Sequence, residues 1–192
     1  MRLSTLAVVA LAFIACTVAG SEKAATPQLV IVPNARGATD TTLAIFIQNA
    51  QMPCPSFFVD RIFLSGPVSN RPETVLALSV RDATGRPLPV GRSVTGTYMT
   101  AKPQDLVRID CGMVLGQVVD LSSGMWFGPL PPGDYRVTAT LSIGLGKYAA
   151  EKPEFVRSLA AVSGKGEADT RRAMRDMVLT SEEVLVRVGP GE

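Results

Sequence analysis

The chain contains no histidine. That removes the commonest general base, the commonest metal ligand and every Ser-His or Cys-His pairing from its chemical repertoire. No HExxH stretch exists, so zinc peptidase chemistry of that type is excluded. Only three cysteines occur, none in a CxxC spacing, which argues against a thiol redox motif or a cysteine-rich metal knot. No Ser-x-x-Lys spacing occurs for a Ser-Lys dyad. Gly144-Leu145-Gly146-Lys147-Tyr148 holds a Gly-Lys pair, but Leu141 and Tyr148 stand where a phosphate loop needs Gly and Ser or Thr. Charge of one sign is also missing. Nineteen Lys and Arg face 17 Asp and Glu, a balance without the basic field that nucleic-acid binding requires. No nucleic-acid partner and no cofactor is expected.

Long apolar runs are scarce. Leu6–Ile14 (LAVVALAFI) is unbroken but less than half the roughly 20 residues a membrane-spanning helix needs. It follows Arg2 and precedes small residues, the organisation of a secretory signal segment over residues 1–20. Phe13-Ile14-Ala15-Cys16 resembles the lipobox read by lipoprotein signal peptidase, with Phe13 in place of the usual Leu, which makes Cys16 a candidate for lipidation. Cleavage near Ala19 or Gly20 is the alternative, releasing a soluble periplasmic or secreted form. With lipidation, residues 16–26 form a flexible tether to the membrane, and the protein is an outer-membrane or periplasmic lipoprotein. Once Cys16 is set aside, Cys54 and Cys111 remain as a pair 57 positions apart. In an oxidising compartment they are expected to form one structural disulfide.

What the chain has in abundance is short apolar runs punctuated by Pro, Gly, Asn and Asp. Candidate strands are Gln28–Val32, Thr42–Asn49, Phe57–Leu64, Thr74–Asp82, Leu106–Ile109, Gln117–Leu121, Tyr135–Ser142 and Glu183–Val188. Tyr135–Ser142 alternates strictly. Tyr135, Val137, Ala139 and Leu141 face one way, with Arg136, Thr138, Thr140 and Ser142 opposite, the mark of a half-buried strand. Helical spacing occurs in Pro153–Val162 and again in Glu167–Val178, so a helical insertion over about 151–178 is expected before the last strand. Its mixed charges suit a solvated face or a partner-binding insertion. Residues 27–192 read as a single all-β domain of 7–9 strands.

Leu130-Pro131-Pro132-Gly133-Asp134-Tyr135-Arg136-Val137 looks like the turn into the penultimate strand of immunoglobulin-like sandwiches, where a tyrosine pins the corner. Gln117–Leu121 and Leu179–Val184 are similar to the same architecture. The segment resembles the Ig-like accessory β-domains of exported bacterial proteins, including those preceding some secreted metallopeptidases. The likeness covers roughly Leu43–Val188, with 151–178 as a departure. It implies a Greek-key β-sandwich. The inter-sheet cystine of antibody domains would need a Cys near Val137, and none is there.

Remaining candidates for chemistry are few. Asp60, Asp82, Asp105, Asp110 and Asp120 sit at strand ends, where Asx turns are the ordinary use and paired-carboxylate catalysis the rarer one. Trp126 and Phe127 form an aromatic pair suited to core packing or to a partner contact. The expectation is a non-catalytic module at the cell envelope that binds another protein. The rivals are a secreted hydrolase inhibitor using the loop Pro67–Pro72 and an enzyme using carboxylates alone.

Overall fold

In the computed structural model, residues 26–33, 41–49, 54–61, 74–89, 102–123 and 126–189 are described. Among them run nine strands: β1 (Gln28–Pro33), β2 (Thr42–Asn49), β3 (Phe57–Asp60), β4 (Thr74–Arg81), β5 (Leu106–Ile109), β6 (Met113–Asp120), β7 (Gly133–Gly144), β8 (Asp176–Thr180) and β9 (Val184–Val188). Three short helices, α1 (Leu145–Glu151), α2 (Pro153–Ser163) and α3 (Glu167–Ala173), lie between β7 and β8. All strand pairs are antiparallel, in sheets ordered β1-β2-β6, β3-β5 and β4-β7-β8, with β9 also pairing β7.

Period-two patterning decides the burial. In β2, Leu43, Ile45, Ile47 and Asn49 point inward; in β4, Thr74, Leu76, Leu78 and Val80; in β7, every odd residue from Tyr135 to Ile143. These inward faces join one core with Leu29 and Ile31 of β1, Leu179 of β8, and Val186 and Val188 of β9. The core carries the stability, because apolar burial contributes about 25 cal/mol per Å² removed from water.

The β2-β6 and β3-β5 ladders are two parts of one bent ribbon. The first ends at Asn49 opposite Met113 and the second starts at Phe57 opposite Ile109. Residues 54–56 and 110–112 are the described residues at this junction. Cys54 and Cys111 are bridged across this break, with their Cα atoms 5.6 Å apart, as expected. Asn49, buried at the hinge, accepts from the Gly112 amide through its carbonyl (2.7 Å) and donates from Nδ2 to the Pro55 carbonyl (2.9 Å).

The helical segment differs from expectation. It covers 145–173 rather than 151–178, and two strands follow it rather than one. Pro153–Val162 is α2 almost to the residue. The second expected helix stops at Ala173, and Asp176–Thr180 is β8, in register with Thr140–Gly144 of β7. A strand ladder satisfies these backbone groups where a short, weakly nucleated helix would fray. Gln117–Leu121 proves to be the end of a longer strand beginning at Met113. Of Phe57–Leu64, Phe57–Asp60 is strand and Arg61 is not; residues 62–73, including Pro67–Pro72, lie outside the described residues.

Two local devices hold the sheets. The Tyr135 hydroxyl donates to the Pro131 carbonyl at 2.6 Å, closing the turn that leads into β7. Burial, followed by the charge of Asp82, raises the phenol's pKa above its ordinary value, so the hydroxyl stays a donor. Tyr135→Phe is expected to cost about 0.5–1.5 kcal/mol, the usual net loss for one hydrogen bond, read as a lowered urea midpoint. Gly116 of β6 lies under the Phe46 ring. A Cβ there would meet Phe46 Cδ1 at 2.2 Å and the Ile45 carbonyl oxygen at 2.8 Å. Gly116→Ala should therefore destabilise by about 1–3 kcal/mol through overpacking, against about −1 kcal/mol at a free surface glycine.

Candidate functional site

All but one of the candidate site residues have a definite place. Cys16, in the N-terminal stretch 1–25, lies outside the described residues. Cys54 and Cys111 are consumed in the disulfide. Trp126 is only 3% exposed and belongs to the core, its amide bonded to the Ser123 carbonyl (2.9 Å) in the tight loop after β6. Phe127 is half-buried against the same core. Core packing accounts for the indole, and any partner contact at this loop falls to the exposed part of Phe127.

The strand-end aspartates act as local anchors. Asp82 accepts from the Thr84 amide and hydroxyl and from the Arg86 amide, an Asx turn. Asp120 accepts from the Ser122 amide and from the Thr41 and Ser122 hydroxyls. Burial opposes ionisation there, but those hydrogen bonds outweigh it and hold the carboxyl below its ordinary range. Asp60 closes β3 in full burial, and its amide donates to the Thr74 hydroxyl at 3.4 Å. Asp105 ends a 3-10 turn at Pro103–Asp105 that precedes β5.

Asp110 belongs to a chain of contacts that reaches the helical segment. Ser56 Oγ and Arg108 Nε both donate to it, and Arg108 reaches on to Asp169 of α3 at 2.8 Å. The Arg108 guanidinium also lies 5.9 Å from the Phe58 ring. Ser56 first, then Arg108, pulls the Asp110 carboxyl below its ordinary value. A carboxyl whose folded pKa is depressed contributes stability above its unfolded value of about 3.9, and that contribution is lost as pH falls through the lower folded value. Asp110→Asn is expected to unfold at lower urea than wild type at about pH 6, with the two converging by about pH 2. A gap that persists unchanged at the lower pH would assign the effect to packing alone.

The Gly144–Tyr148 stretch is the start of α1. The Asp176 carboxylate accepts from the amides of Gly146 (2.7 Å) and Lys147 (3.4 Å). Its own side chain fills the position a phosphate would take. Among the described residues, no group of three His, Cys, Asp or Glu is arranged to hold a metal, and no helix is long and apolar enough to cross a membrane.

A concavity that no sequence motif marked lies elsewhere. A groove of about 570 Å³ runs between β1 and the β8–β9 edge, lined by Thr26–Ile31 on one side and by Val178–Thr180 and Glu182–Val184 on the other. A second hollow of about 260 Å³ shares Thr26, Pro27, Val178 and Leu179 with it and extends it to Arg175 and Pro55. β1 pairs only with β2, and β8 and β9 pair only with β7. Both walls of the groove are therefore strand edges unpaired among the described residues. At Ser181 the chain is fastened away from the groove: its amide donates to the Ala139 carbonyl and its hydroxyl accepts from the Ala139 amide, both 2.9 Å. Glu183 is tied to Arg136 at 2.9 Å.

Comparison with known proteins finds no matching family model, no matching curated protein and no matching solved structure.

Proposed function

We propose that this chain is an exported, non-catalytic module of immunoglobulin-like architecture that binds another protein at the cell envelope, anchored through Cys16. The observation that carries the binding role is the groove, whose two walls are open strand edges. Unpaired edges are sites where another chain adds.

Strand pairing supports the architecture. In the immunoglobulin arrangement one sheet runs A-B-E and the other C-F-G. The orders β1-β2-β6 and β4-β7-β9 follow that scheme, with the chain alternating between sheets in Greek-key fashion. Tyr135, at the start of the F-like strand β7, bonds back to Pro131 as the tyrosine corner of such domains does. The helices between β7 and β8 and the extra strand β8 are this chain's own additions. Its disulfide also differs, joining the two halves of one ribbon instead of the two sheets.

An oxidising compartment is the setting in which a disulfide persists, which supports export. Against catalysis by carboxylates stands the groove's charge pattern. Glu182 and Glu183 line it, but Glu183 is held by Arg136, and glycosidase-type chemistry needs two free acids facing one bond.

Crosslinking in native membranes, followed by affinity capture of the full chain and mass spectrometry, tests the binding role. One envelope protein recovered in stoichiometric amount is the expected result. Turnover of a glycan or peptide by the purified chain, with no partner captured, would overturn the reading.

A further inference from the structure

We propose that the groove between β1 and β8–β9 receives an extended, cationic segment of a partner protein, which adds as a strand along β1. This deepens the binding role proposed above and rests on it.

Three features of the groove select that occupant. The first is the state of β1. A strand paired on one side turns the N–H and C=O of alternate residues toward the open side. Natural edge strands are usually blunted by Lys, by an interior Pro or by a bulge. β1 reads QLVIVP: it carries no charge, its register with β2 is unbroken from Gln28 to Pro33, and proline stands only at its end and just before it, at Pro27. Such an edge is built to be covered.

The second feature is shape. Thr26 and Pro27 line both hollows together with Val178 and Leu179, and Gln28–Ile31 line the main groove with Thr180 and Glu182–Val184. The volume falls within the ~300–1,000 Å³ of clefts that hold ligands. The six residues of β1 span about 20 Å at roughly 3.3 Å each, the length of a short extended peptide. Val178, 67% exposed, and half-buried Val184 give that peptide apolar ground on the far wall.

Charge is the third. Of the residues lining the main groove, only Glu182 and Glu183 are charged. Glu183 is paired with Arg136, whereas Glu182 is exposed and has no ion partner among the described residues. A cationic side chain is favoured at that wall and an acidic segment is repelled. A second copy of this chain pairing β1 to β1 would bring no cation to Glu182, because β1 has none. Charge therefore favours a foreign segment over self-association.

The test uses the full chain and an end-blocked heptapeptide alternating lysine and valine, read by hydrogen–deuterium exchange. The peptide is expected to slow exchange in residues 26–33 and 178–184. The same peptide N-methylated at alternate residues, which removes its strand donors, should bind at least about tenfold more weakly, as should a glutamate–valine counterpart. Replacing both exposed carboxylates, Glu182→Lys with Glu183→Lys, should weaken the lysine peptide by a similar factor while leaving the circular dichroism spectrum unchanged. Equal binding of the N-methylated or the acidic peptide would overturn the proposal, as would protection confined to other segments. So would a dimer on size exclusion in which β1 is already protected. If membrane crosslinking captures a partner whose crosslinks map away from both walls, the binding role survives and the groove proposal fails.

Discussion

Replacing Cys54 and Cys111 together by serine is expected to lower the melting temperature of the domain by roughly 10 °C. In the chain-entropy account, closing a loop across 57 positions restricts the unfolded ensemble by about 4 kcal/mol. Each kcal/mol moves the midpoint of a domain of this size by about 2–4 °C. The location adds a native-state effect. The bridge lies at the junction where the β2-β6 ladder ends, at Asn49–Met113, and the β3-β5 ladder starts, at Phe57–Ile109. Without it, Asn49 and the Ser56–Asp110 bond are left to keep the two half-ribbons aligned. Phe57, Phe58 and Ile109, fully buried just beyond the break, depend on that alignment. Differential scanning calorimetry of the double variant and of wild type with reductant should give the same lowered midpoint. A shift below about 2 °C in both would mean that the hinge is held by packing alone. Denatured wild type without reductant should also resist thiol labelling at both positions.

Most of the strands could be read from the sequence because their patterning is local. Thr42–Asn49 and Leu106–Ile109 coincide with β2 and β5, and the alternation of Tyr135–Ser142 lies within β7. β2 and β7 carry their inward faces on alternate residues, so tertiary context only confirms what the period implies, whereas the shorter β5 buries only its two ends. Where context decides, local reading falters. Asp176-Met177-Val178 continues a helical pattern, yet these residues are claimed by the edge of β7. α1 is seven residues long with no side-chain cap, too short for periodicity to announce it. β6 was foreseen only in its second half, because Met113, Val114 and Val118 turn apolar side chains outward and blur the alternation.

The groove was invisible for a different reason. Its walls are strand edges brought together from residues 26–31 and 178–184, and its distinguishing property is an absence of backbone pairing. Nothing in a side-chain pattern records which backbone groups lack partners. The charge on Glu182 becomes meaningful only once β1 is known to lie across from it. The aromatic pair shows the converse. Trp126 drew notice by residue type, and its surroundings make it a core residue.

Cys16→Ala is expected to move the protein from the membrane fraction to the soluble fraction almost completely. Acyl chains on Cys16 would enter one leaflet, each buried methylene contributing about 0.8 kcal/mol, so that two or three chains hold the protein there effectively permanently. The stretch from Thr17 to Thr26 would then be the tether. Ten flexible residues have a root-mean-square span of about 17 Å, at about 5–6 Å times the square root of their number. Thr26 itself lines the groove, so such a tether would join the domain there. A lipid-anchored molecule would thus present β1 and Glu182 close to the bilayer, to a segment of a neighbouring envelope protein. Without the cysteine, cleavage would shift toward Ala19 or Gly20 and the domain would diffuse freely, still folded, because the core among the described residues starts at Leu29. Fractionation of wild type and Cys16→Ala, with intact-mass measurement of each mature N-terminus, reads the outcome. Wild type that is already soluble, with an unmodified N-terminus at Gly20 or Ser21, would replace the anchored module with a secreted one. The peptide affinity of the groove should be identical in the two forms, since the anchor sets where binding happens and the strand edges set what is bound.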